Sequence, residues 1–124
     1  MKTPWFTLGS ALLAVAVAAG ALGAHFLRGR LDAPSLSLWE TAVRYLVVAG
    51  AGLLAVGLAD DRQPRAGWTA AGACLAVGAV IFSGTVGGLA LGGPRWLGAV
   101  TPLGGVLLIA GFAVSAATAF RRRV

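Results

Sequence analysis

The sequence predicts an all-α integral membrane protein, a four-transmembrane-helix antiparallel bundle forming one membrane domain over residues 1–124. Three observations carry that prediction. Only 11% of the residues are charged and 58% are hydrophobic, with a mean hydropathy of +0.86. A soluble domain of this size carries roughly 25% charged residues to face water. The ionisable residues are also segregated, in groups around His25–Asp32, Glu40–Arg44, Asp60–Arg65, Arg95 and Arg121–Arg123, with uncharged chain between them. Finally, three of the uncharged intervals have spanning length and the fourth falls short alone: a hydrocarbon core about 30 Å thick needs roughly 20 helical residues.

The first interval, Trp5–Ala24, supplies 20 residues and extends to a helix expected over 5–27. It starts after one charge and is longer than the roughly 7–15 apolar residues of a secretory signal, so it is read as a retained span. The second helix, expected over 38–59, reaches spanning length by including the Glu40–Arg44 turn. "DAPSLS" (32–37) reads as the loop before it, with Ser37 or Ser35 as N-cap and Glu40 in capping-box spacing from Ser37. "DDRQPR" (60–65) is a short polar turn, which makes the second and third helices antiparallel neighbours. The third helix is expected over 67–92, closed by "GGPRW", where Arg95 and Trp96 form an interfacial anchor. The fourth is expected over 97–120, with two readings of its start: an interfacial turn with the helix proper from Pro102 and Thr101 as its cap, which is favoured, or a helix from Trp96 that Pro102 kinks.

Small residues recur every fourth position at Gly84, Gly88 and Gly92, with Gly72 and Ala76 extending the same face upstream, and again at Ala16, Gly20, Ala24 and at Gly111, Ser115, Ala119. Such faces let helix backbones approach closely in lipid, so the glycines of "FSGTVGGLALGG" (82–93) read as packing surface. A phosphate cradle needs Gly-Lys-Ser/Thr, and Lys2 is the only lysine. "GAGLLA" (50–55) lies within a span and follows no strand, so it is not a dinucleotide loop.

The composition narrows function by exclusion. A net charge of +6 comes from residues flanking apolar spans, which argues against a nucleic-acid surface. One cysteine, Cys74, one histidine and no carboxylate inside the first, third or fourth expected span leave no catalytic residues, metal site or cofactor site to name. Lys2, Arg62, Arg65 and Arg121–Arg123 on one side outnumber Arg28, Arg30, Arg44 and Arg95 on the other by six to four. Both termini are therefore expected in the cytoplasm.

Several polar residues have two readings each. His25 is a polar group at a helix C-terminus or a binding residue. Arg44 snorkels beside Glu40 or meets a lipid headgroup or partner. Ser83, Thr85 and Thr101 bond nearby backbone or line a polar cavity. The expected partners are the lipid bilayer and a second copy or another membrane protein, with no nucleic acid. The main reading is a non-catalytic protein acting through helix packing; the alternative is a small transporter or channel for an apolar or weakly polar solute.

"GALGAHFL" (20–27), "ETAVRY" (40–45), "FSGT" (82–85) and "RWLGAVTPLGGVLLIAG" (95–111) together resemble the domain-of-unknown-function 423 family. These are small bacterial membrane proteins of the YgdD type, similar to eukaryotic transmembrane protein 256. The resemblance implies four membrane helices and an unresolved function. His25, Tyr45, Ser83, Arg95, Trp96, Thr101 and Pro102 match its pattern, whereas Leu46 and Ala49 stand where relatives commonly carry glutamine and histidine.

Overall fold

A computed structural model of the protein describes residues 3–122. Lys2 and Arg123, counted above for topology, lie outside them. Four helices follow in order: α1 (Trp5–His25), α2 (Ala33–Arg62), α3 (Ala66–Ala90) and α4 (Trp96–Arg122). All four are long and apolar enough to cross a membrane.

The helix ends obey local chemistry. α2 starts at Ala33, earlier than expected, because Asp32 and not a serine is its N-cap. The Asp32 Oδ1 accepts from the Ser35 N–H at 2.8 Å, and Pro34 fits the first turn, where no N–H is needed. That hydrogen bond, with a further one from the Ser35 side chain, holds the Asp32 carboxyl below its ordinary pKa. α3 ends in a Schellman motif: Gly92 has φ +90°, the Gly93 N–H donates to Gly88 O at 2.8 Å and the Gly92 N–H to Leu89 O at 3.1 Å. α4 starts at Trp96, so Pro102 lies inside the helix and does not begin it. The preceding turn is hydrogen-bonded from Leu97 N to Pro94 O and from Gly98 N to Arg95 O, which carries the helix back past the proline.

The helices pack in chain order, α1 on α2, α2 on α3 and α3 on α4, while α2 and α4 meet only marginally. The inner pair is the more covered. The most apolar 18-residue stretches of α2 and α3 are 39% buried, against 17% for α1 and α4. The core between α2 and α3 contains Ala49, Leu53 and Val56 against Trp68, Ala71, Leu75 and Ala79, with Leu108 reaching in from α4.

Glycine does set the close approaches, though at other positions than the 84/88/92 face. A Cβ on Gly9 would stand 2.7 Å from Gly50 O, and one on Gly57 would stand 2.6 Å from Phe6 N, which fixes α1 against α2. A Cβ on Gly104 would meet Phe82 N at 2.5 Å, and one on Gly78 would meet Gly104 O at 3.0 Å, which fixes α3 against α4. Gly84 instead faces open space, and Gly88 meets only the end of Leu97, at 3.0 Å. Of the faces read from the sequence, Gly72 lies under the Trp5 ring and Gly111 under Leu75.

Candidate functional site

Polar side chains inside the spans bond backbone of their own helix, at Thr41, Ser115 and Thr118 for example, or tie neighbouring helices together. The Ser83 hydroxyl donates to Ala42 O at 2.8 Å, bridging α3 to α2, and the Trp39 indole N–H donates to Ala19 O at 2.8 Å, bridging α2 to α1. Thr85 and Thr101 share a hydrogen bond of 2.6 Å between α3 and α4, and the Thr101 hydroxyl lies 2.9 Å from Leu97 O. Each of these hydroxyls has a protein acceptor in reach, as expected where water is absent.

Grooves open on the outer surface formed by the described residues. A groove of about 220 Å³ between α1 and α2 has Gly20 and Gly23 on one wall and Glu40 and Arg44 on the other. Glu40 and Arg44 are both exposed, in the acid-first i, i+4 order. Two further grooves occupy the cleft between α2 and α4, floored by α3. One of about 310 Å³ is bounded by Tyr45, Phe82 and Gly105; the other, about 380 Å³, is bounded by Ala55, Ala59, Trp68 and Ala116. Phe112 borders both and divides the cleft. The Tyr45 ring stands edge-on to Phe82, with centroids 4.9 Å apart.

The remaining sequence candidates do not converge. His25 is exposed at the end of α1, beyond which Arg30 lies over the Phe26 ring at 4.1 Å. Arg95 and Trp96 are exposed at the start of α4, with Trp96 63% accessible, as suits an interfacial anchor. Gly84, Gly88 and Pro102 line none of these grooves.

The expectation that 60–65 is a polar turn outside the second helix needs correction at its start. Asp60 belongs to the last turn of α2 and is only 2% exposed. Its Oδ1 accepts from the Arg65 N–H at 3.3 Å, so it caps the turn into α3, while Oδ2 has no partner among the described residues. Three further buried polar atoms share that state: Thr3 Oγ1, Trp5 Nε1 and Trp68 Nε1. All four belong to the end where α1 begins, α2 ends and α3 begins. Since Gly9 opposes Leu53 and Phe6 opposes Gly57, the antiparallel register sets Thr3 level with Asp60. A signal for Asp60 existed in the sequence: Leu53, Val56 and Asp60 follow helical spacing, so the buried stripe of α2 continues into the supposed turn.

Comparison with known proteins agrees with this architecture. Residues 19–105 match the family described as "Protein of unknown function (DUF423)". The chain is 40% identical over 115 residues to a UPF0382 membrane protein of Staphylococcus haemolyticus, covering 92% of this chain and 93% of the relative. It is 44% identical over 108 residues to one from Staphylococcus epidermidis, covering 86% and 87%. It is also 40% identical over 103 residues to the UPF0382 membrane protein YwdK of Bacillus subtilis, covering 82% and 84%. No solved structure matches the chain. With four spanning-length helices and relatives matched along most of their length, the chain belongs to the DUF423 family of membrane proteins, a family of unknown function.

Proposed function

We propose that this protein is non-catalytic and works by helix packing in a bacterial inner membrane, against a second copy, another membrane protein or lipid, with both termini in the cytoplasm. The observation that carries the reading is the contrast between a filled interior and an open exterior. Leu53, Leu75 and Ala79 are fully buried between α2 and α3, while the outer helices α1 and α4 leave most of their apolar stretches uncovered. In lipid such faces are not driven together by hydrophobicity, so a close-fitting partner or a lipid chain supplies the van der Waals contact. A transporter would need a continuous passage. The grooves between α2 and α4 open outward, and Phe112 stands between them.

Purification in native-lipid nanodiscs followed by intact-mass measurement tests this reading. The expected result is a second chain or retained phospholipid on the protein. A lone chain that carries neither, and that moves a solute across liposome membranes, would overturn it.

A further inference from the structure

The groove between α1 and α2 has charged side chains on its wall. Gly20, Gly23 and Ala24 form its α1 side, and Glu40, Val43 and Arg44 its α2 side. The α1 side carries almost no side-chain bulk, so the two charged residues of α2 border about 220 Å³ of open space. Gly23 also seats Trp39: a Cβ there would stand 2.7 Å from Trp39 Cδ1, and the indole N–H reaches Ala19 O at 2.8 Å.

Register fixes the depth of the two charges. Gly20 opposes Val43 and Gly23 opposes Trp39, which sets Arg44 level with Ala19. Arg44 thus lies six residues inside the His25 end of α1, about 9 Å at 1.5 Å per residue. Glu40 stands one turn nearer that end on the same face. Both are exposed, and neither makes an ion pair among the described residues. Charges at this depth are costly in a bilayer unless they meet a partner, and a snorkelling arginine finds it at the headgroups. The order of the two charges selects that partner. From the membrane surface inward the groove presents an acid and then a base. A phospholipid with an amine headgroup presents ammonium outermost and phosphate beneath it, the complementary sequence. A phospholipid without the amine would set nothing against Glu40. A second copy related by an axis along the membrane normal would bring Glu40 level with Glu40 and Arg44 with Arg44, like against like.

We propose that this groove is a seat for the headgroup of one amine-bearing, zwitterionic phospholipid. The Arg44 guanidinium donates to the phosphate oxygens, the lipid ammonium donates to the Glu40 carboxylate, and the side-chain-poor face at Gly20 and Gly23 leaves the headgroup room. The proposal rests on the lipid branch of the packing reading and needs no second chain.

The test uses the full chain in nanodiscs of equal parts phosphatidylethanolamine and phosphatidylglycerol, read by lipid adducts retained in intact-mass spectra. Wild type is expected to retain one phosphatidylethanolamine in preference to phosphatidylglycerol by about two- to fivefold, the worth of one exposed ion pair. Glu40→Gln should bring that preference close to one, and Arg44→Gln should lower retention of both lipids. The decisive variant is Glu40→Arg with Arg44→Glu, which keeps net charge and helical spacing and reverses only the order. It should lose the preference for phosphatidylethanolamine. Equal retention of the two lipids by wild type would overturn the proposal, as would an exchanged pair with unchanged preference. If the preference is absent while a second chain co-purifies, the packing reading stands and only the seat is lost. A lone chain that retains no lipid would remove both.

Discussion

Glycine 104 illustrates how a single missing methyl group positions two helices. A Cβ there would stand 2.5 Å from Phe82 N and 2.9 Å from Phe82 Cα, atoms of backbone that cannot rotate away. Gly104→Ala should therefore separate α3 from α4 and cost about 1–3 kcal/mol, as other overpacked sites do. Gly84→Ala, at a position facing open space, should leave thermal stability in detergent unchanged. Equal melting temperatures for the two variants would refute the assigned seam. Asp60 sets a second test at this scale. Asp60→Asn keeps an oxygen for the Arg65 N–H and removes a buried charge whose Oδ2 lacks a partner, so stability should hold or rise. Asp60→Ala removes the acceptor and should cost about 1 kcal/mol, the usual worth of a lost cap. If asparagine proves as damaging as alanine, the charge itself is required, and a cationic partner must be sought. Which residues would matter in this way was only partly legible in the sequence. A small-residue stripe has the same spacing whether it meets a helix or lipid, and in a membrane both faces of a span are apolar, so periodicity cannot say which face is inside. Hence Gly84 and Gly88 were indistinguishable from Gly78 and Gly104 until the helices were seen paired. Asp60 was hidden for another reason: its neighbours Asp61 and Arg62 are exposed and gave the whole segment the look of a polar turn.

At the scale of the helices, the sequence was far more informative, because charge-free length is a direct consequence of the solvent. Each of the four uncharged intervals became one helix, with the differences confined to their ends. The start of α2 moved because aspartate competes well as an N-cap, and once Asp32 takes the Ser35 N–H, the following Ala-Pro-Ser becomes the first helical turn. This cap carries a pH dependence with a definite sign. The folded-state pKa of Asp32 is depressed, chiefly by the hydrogen bond from the Ser35 backbone. Its contribution is thus fully present above the unfolded value of about 3.9 and is lost as pH falls through the lower folded value. Amide exchange over residues 33–36 should accelerate, relative to exchange at the centre of α2, as the medium is acidified through that range. Asp32→Asn retains a capping oxygen that cannot titrate, and it should remove the acid-induced step while leaving the helix start in place. A step of equal size in the asparagine variant would assign the fraying to another group.

The whole molecule is a row of neighbours with two covered helices in the middle and two open ones outside, and its orientation follows from charge placed at the helix ends. Four spans would return the chain to its starting side, so under the proposed topology the start of α1 and the end of α4 share a compartment and the connection between α3 and α4 lies opposite. Cytoplasmic retention favours the side richer in Lys and Arg near the spans. That side is the one holding Lys2, Arg62, Arg65 and Arg121–Arg123, six residues against the four at 28, 30, 44 and 95. A fluorescent reporter fused after Val124, which folds only in the cytoplasm, should therefore be bright, and a phosphatase that works only outside should be active when inserted between Gly93 and Pro94. Because the margin is two charges, it is also breakable. Replacing Arg121, Arg122 and Arg123 by glutamine leaves three against four and should produce a mixed population, with both reporters partly active at both sites. A dark reporter on Val124 of the wild-type chain would reverse the orientation. An unmixed topology in the triple variant would show that the terminal arginines anchor α4 without deciding which way the protein inserts.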